Sequence, residues 1–202
     1  MPTLYDNLDS GNGYKVRLVL AQLGIAYRRI ELDILKRETR TAEFLKKNPN
    51  GRIPTLELDD GTCLPESNAI IFYLADGTPL LPNDRLQRAQ VLRWMFFEQY
   101  SHEPNIATVR FWMHLLPSLT ELQKAQIQPK REAGYAALDI MESHLEANDF
   151  FVAGRYTIAD VALYAYTHVA EEGGFDLARY SAIQRWFGRV AAQPGYIPIT
   201  HG

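Results

Sequence analysis

The sequence predicts a small α/β domain built on a four-stranded mixed sheet, followed by an all-α helical domain. Three observations carry this. Residues 3–32 read as strand, helix, strand. Asn48 to Ala69 reads as a proline-led hairpin running into a capped helix. Beyond the breaker-rich stretch Asp76-Gly-Thr-Pro-Leu-Leu-Pro-Asn83, no strand pattern returns.

Thr3 to Tyr5 is a short strand, and Ser10-Gly-Asn-Gly13 is a loop that enters a helix. Val16, Val19, Leu20 and Leu23 recur on one helical face, and Gly24 closes the helix. Tyr27 to Leu32 alternates as a second strand. The two strands should be parallel with a right-handed crossover. Thr41 to Lys47 suits a short helix stopped by Asn48-Pro49. Thr55 to Leu58 alternates, Asp60-Gly61 is a tight turn, and Thr62 to Leu64 returns as the partner strand. Ser67 is placed to cap the apolar helix of residues 68–75. The expected domains are therefore residues 1–76 and 85–202, with a linker at 77–84.

In the second domain, Asn83 or Asp84 caps a long helix carrying Val91, Trp94, Met95 and Phe97. Pro104 should bend it and Pro117 end it. Pro129 is expected near a helix start, with Leu138, Met141 and Leu145 supplying the apolar face. Thr157-Ile-Ala-Asp160 is a capping box, and Ile183, Trp186, Phe187 and Val190 mark the last helix. That makes about five helices. Trp94, Phe97 and Trp112 are expected in the core, and Glu98, His102 and Glu103 form a polar cluster near the bend.

Hydrophobic residues at 47%, charged residues at 22% and a net charge of −3 are globular values. With no basic run, neither nucleic acid nor an anionic membrane is expected as the main partner. No apolar run approaches the roughly 20 residues of a membrane span. The sequence opens Met-Pro-Thr-Leu-Tyr-Asp, with neither basic leader nor apolar signal core, so the cytoplasm is the expected compartment. The single cysteine, Cys63, excludes an internal disulfide framework and is expected as a small buried hydrophobe. The five histidines show no ligand spacing, so no metal is expected. Gly11-x-Gly13 lacks the remainder of a dinucleotide or P-loop motif.

Two features exceed what a hairpin needs. Ile53-Pro54 sits at the mouth of a strand, where a cis bond would turn the Ile53 N–H and C=O toward an extended peptide. Glu66-Ser67 offers an anion to an ammonium, and helix N–H groups with a hydroxyl to a carboxylate. Together they would hold a small zwitterionic peptide.

Three words of the sequence then resemble the cytosolic glutathione transferases. They are Asn48-Pro-Asn-Gly-Arg-Ile-Pro-Thr-Leu56, Glu66-Ser-Asn-Ala-Ile70 and Gly154-Arg-Tyr-Thr-Ile-Ala-Asp160, in the family's order. The resemblance covers essentially the whole chain. It implies a thioredoxin-like first domain, a cis Pro54, pairing of Ile53 with the cysteinyl backbone of glutathione, and a γ-glutamyl site at Glu66 and Ser67. The word Ser10-Gly-Asn-Gly-Tyr-Lys-Val16 is similar to the serine-bearing theta-type loop. It is more similar still to the nu-type Thr-Pro-Asn-Gly loop, with Ser10 for threonine and Gly11 for proline. Tyr5 lies within the first strand and is read as core. The resemblance also implies a homodimer.

A free thiol has a pKa of about 8.5, and lowering it by about two units takes about 2.7 kcal/mol. Two charge-assisted hydrogen bonds of roughly 1.5–3 kcal/mol each, with a helix N-terminus, suffice. Ser10 and Asn12 are the expected donors, and neither is basic. No Cys-x-x-Cys is present, so the sulfur comes from the ligand. The expected activity is glutathione transfer to a hydrophobic electrophile. The alternatives are a glutathione-dependent disulfide-bond oxidoreductase or a non-catalytic module of the same fold. Arg40 and Arg52 are candidates for the glycine carboxylate of glutathione. Tyr100, Asn105, Arg110 and Met113 are candidates for the electrophile pocket.

Overall fold

The computed structural model describes residues 1–201. The chain forms two compact units: Met1–Thr78 with the segment from Gln193, and Pro79–Ala192.

In the first unit the sheet runs β2-β1-β3-β4. Strand β1 (Thr3–Asp6) pairs parallel with β2 (Arg28–Glu31) and antiparallel with β3 (Thr55–Glu57). β3 in turn pairs antiparallel with β4 (Cys63–Pro65). Helix α1 (Gly11–Gln22) buries Tyr14, Val16, Leu18, Val19 and Leu20 completely, and Gly24 follows its end at φ 63°. α2 (Ala42–Lys47) is capped by Thr41, and α3 (Ser67–Ala75) buries Ile70 and Ile71. Leu4 and Leu56, partners on one rung of the sheet, complete this core. The segment from Gln193 folds back along α1, where the Tyr14 hydroxyl donates to Ile197 O at 2.7 Å.

Three expectations need correction here. Ser67 is the first helical residue rather than the cap; Glu66 takes the cap position, with φ 71°. Tyr5 is half-buried, its hydroxyl 2.7 Å from Glu57. Cys63 is only half-buried, at the sheet edge that β4 forms.

In the second unit α4 (Arg85–Phe97) is capped by Asp84, which accepts from Gln87 N. It continues through a wide π turn at Glu98–His102 into α5 (Glu103–Arg110), and a second π turn spans Phe111–Leu115. Pro104 lacks the N–H an α-helical ladder needs, and the wide turn ahead of it absorbs that break. α6 (Glu121–Ala147) starts at a Thr120 capping box, so Pro129 lies well inside the helix and not near its start. α7 (Ile158–Thr167) and α8 (Ser181–Ala191) follow. Their core is aromatic: Trp94 to Phe151 at 4.6 Å, Phe151 to Trp186 at 5.2 Å, and Trp186 to Tyr164 at 5.7 Å between ring centroids. Phe97 and Trp112 are half-buried. The polar cluster at the bend is internal: Glu98 and His102 are fully buried, and His102 Nε2 lies 2.8 Å from Thr167 Oγ1. Among the described residues, no helix is long and apolar enough to cross a membrane.

His168 stacks on Tyr164, and its Nδ1–H donates to Tyr164 O at 2.7 Å. Burial pushes its pKa from 6.5 down to about 4. The folded state therefore prefers the neutral ring. This contribution is fully present above pH 6.5 and is lost as pH falls toward 4, by at most about 3 kcal/mol before solvent screening. Asp6 and Asp160, both pushed up to about 6 by burial, act in the opposite sense over the same interval. Thermal melts of wild type and His168→Phe should therefore converge as pH rises to neutrality and diverge below it, with wild type losing more.

Candidate functional site

Sheet register assembles the site. Tyr5 pairs with Thr55, and Thr55 with Pro65. The next rung outward brings together the exit of β1, Pro54 and Glu66. The Ile53–Pro54 bond is cis, and Ile53 precedes the ladder that starts at Thr55. The turn before it is tied down by buried Asn48, whose Nδ2 donates to Arg52 O at 2.8 Å and whose Oδ1 accepts from Asn50 N at 3.0 Å. Arg40 is engaged with the same turn, donating from Nη1 to Asn50 O at 2.9 Å. The Arg52 side chain is exposed.

Ser10 is the N-cap of α1: its Oγ accepts from Gly13 N at 3.1 Å. A hydroxyl that accepts keeps its own proton to donate. Asn12 Oδ1 accepts from Lys15 Nζ at 2.9 Å and from Ser67 Oγ at 3.1 Å, which joins the heads of α1 and α3. Neither helix has an acidic residue of its own in its first turn, and Glu66 stands at the cap of α3. Glu66 is exposed beside Ser67. Ser10, Asn12, Glu66 and Ser67 thus gather around the N-termini of two helices, with Ile53 and Pro54 at the adjoining strand mouth.

The first turn of α1 can sit this close to β1 only because residue 13 is glycine. A Cβ there would come within 1.5 Å of Asp6 Oδ1. Asp6 is fully buried and paired with Arg17 Nε at 2.9 Å. Lys15 and the Asp6–Arg17 pair escape sequence reasoning, because on an amphipathic helix charged residues at these positions read as solvent-facing.

The four candidates in the second unit lie apart in character. Tyr100 is 88% exposed and Met113 is exposed, while Asn105 donates to Ser101 O at 2.7 Å. Arg110 is buried, its Nε 2.6 Å from Glu172. That pair fastens α5 to the turn at Ala170–Gly173. Among the described residues no cluster of His, Cys, Asp or Glu could hold a metal ion.

Known proteins match this chain over nearly its whole length. A crystal structure of a possible glutathione S-transferase from Rhodopseudomonas palustris matches with a TM-score of 0.97 at 50% identity, over 100% of this chain and 98% of that one. Ure2p in complex with glutathione matches with a TM-score of 0.88 at 25% identity, over 100% and 94%. The disulfide-bond oxidoreductase YfcG of Escherichia coli K12 is 29% identical over 192 residues, spanning 91% of this chain and 87% of the relative. Residues 2–76 match the model of the glutathione S-transferase N-terminal domain and residues 96–194 that of the C-terminal domain. The chain belongs to the glutathione S-transferase family.

Proposed function

We propose that the protein binds glutathione in its first unit, holds the sulfur as thiolate at the head of α1, and transfers it to a hydrophobic electrophile. One observation carries this: Ser10 and Asn12 stand together at the N-terminus of α1, tied to Ser67 of α3. Ile53 would pair with the cysteinyl backbone, Glu66 with the γ-glutamyl ammonium and the Ser67 N–H with its carboxylate, the Ser67 hydroxyl being given to Asn12 Oδ1. Arg52, exposed at the strand mouth, is the better candidate for the glycine carboxylate, because Arg40 is already engaged by Asn50. The Ure2p complex with glutathione and the R. palustris structure, at their stated similarities, support this reading.

Ser10 and Asn12 are hydrogen-bond donors and not bases, so the thiol proton leaves to solvent as the thiolate forms. The sulfur lone pair then bonds the electrophilic carbon, and the leaving group departs with its electron pair. Similarity to YfcG favours a second reading. There the thiolate attacks a disulfide sulfur, giving a mixed disulfide and releasing the other thiolate. A second glutathione resolves it to oxidised glutathione.

Assays with an aryl halide and with hydroxyethyl disulfide separate the two. Ser10→Ala is expected to lower kcat/KM in the productive assay about 10- to 100-fold, the value of one charge-assisted hydrogen bond. Loss of the cap should take about 1 kcal/mol from stability. No turnover in either assay, with glutathione bound, would instead mark a non-catalytic module.

A further inference from the structure

We infer that Lys15 is the positioning residue that sets the orientation of Asn12, turning the amide N–H of Asn12 toward the thiol of glutathione. The inference rests on the glutathione reading above and adds a part to it.

Lys15 lies in α1 and is fully buried. Its Nζ is 2.9 Å from Asn12 Oδ1, 3.4 Å from Asn68 Oδ1 and 3.5 Å from Ser67 Oγ. Three neutral oxygens thus face an ammonium that has three N–H groups. An ammonium donates and never accepts, so the Asn12 atom facing it must be the oxygen. The Ser67 hydroxyl donates to the same oxygen at 3.1 Å. With Oδ1 held by two donors, the planar amide has one orientation left, and its Nδ2 is turned away from Lys15 and Ser67.

A purely structural tie between α1 and α3 does not account for this. Burying an ammonium costs several kcal/mol, and apolar side chains of similar volume hold helices together as well or better. A buried cation earns its place here through what it does to Asn12. The other ionisable side chains of α1 and α3 are Tyr14, Arg17 and Tyr73; Arg17 is paired with Asp6 of β1, and Asp9, Glu66 and Asp76 flank the two helices.

The test titrates the thiolate ultraviolet absorbance of bound glutathione in wild type, Lys15→Met, Asn12→Ala and the double variant. Calorimetry with glutathione is run on each. In Lys15→Met the bound thiol pKa should rise by about one unit or more. The kcat/KM at about pH 6.5 should fall about tenfold, recover at higher pH, and leave glutathione affinity within about threefold. The double variant should be no worse than Asn12→Ala. A Lys15→Met protein with an unmoved thiol pKa, or losses that add in full, would overturn the inference alone. Wild type giving no heat with glutathione would overturn the proposed function itself. Should Lys15→Met fail to fold, Asn12→Asp decides, because it keeps the Lys15 contact as an ion pair, in which the ammonium offsets the added charge, and puts an acceptor in place of the outward donor. It should fold with undiminished stability and a raised thiol pKa; an unchanged thiol pKa would again overturn the inference.

Discussion

Asp160→Ala is expected to remove on the order of 4 kcal/mol or more of folding stability. The spacing from Thr157 predicts a capping residue, worth about 0.5–2 kcal/mol. The fold gives it more to do. Its carboxylate accepts from Thr157 N at 2.9 Å, Thr157 Oγ1 at 3.2 Å, Phe151 N at 3.2 Å and Trp186 Nε1 at 3.0 Å. All four donors belong to residues that are essentially inaccessible. Each donor left unsatisfied costs about 1–3 kcal/mol, and local relaxation recovers only part of the sum. Burial pushes the carboxyl up to about 6, against the opposing pull of these donors. Asp160→Asn, which keeps one acceptor and the volume, should fall between wild type and alanine. Urea unfolding of the three proteins measures the series, and calorimetry measures glutathione affinity in the folded fraction, which should be intact. A loss of 1 kcal/mol or less would reduce Asp160 to a cap.

The contrast between those two magnitudes marks what can be read from sequence. A capping box is local: Thr157 and Asp160 are three apart, and their hydrogen bonds follow from that spacing. The Trp186 contact spans 26 residues and needs the packing of α7 on α8. The same division runs through the candidate site. Ser10 at a helix start, the Asp60-Gly61 turn and the Glu66-Ser67 word are legible because each is a short-range pattern. The register that brings Pro54 beside Glu66 follows once the hairpin is read correctly. Lys15 is not legible, because only the packing of α3 on α1 converts that position from surface to interior. Pro129 misleads for a related reason. The Thr120 capping box begins α6 ahead of it, and a proline inside a helix is tolerated there when the rest of a 27-residue helix holds it.

Arg17→Met is expected to destabilise the protein by about 3–5 kcal/mol near neutral pH and by much less in acid. Arg17 and Asp6 are both fully buried, 2.9 Å apart, and removing the cation leaves the carboxylate buried alone. Burial already pushes the Asp6 carboxyl from 3.8 up to about 6, and Arg17 is the largest influence holding it down. A carboxyl whose folded pKa is raised favours folding most when protonated. That contribution is fully present below the unfolded value of 3.8 and is lost as pH rises through the folded value. Without Arg17 the folded value moves higher still, so the variant goes on losing stability at pH values where wild type has levelled off. Urea unfolding at about pH 5 and about pH 7.5 should show the gap between the proteins widening with pH. A residual gap is expected in acid, because Arg17 also donates to Leu8 O at 2.7 Å, to Ile199 O at 2.8 Å and to His201 O. The bonds to Ile199 and His201 hold the segment from Gln193 against α1, so its amides should exchange faster in the variant at either pH. An equal gap at both pH values would mean that Arg17 serves that segment and does not hold Asp6 in its charged form.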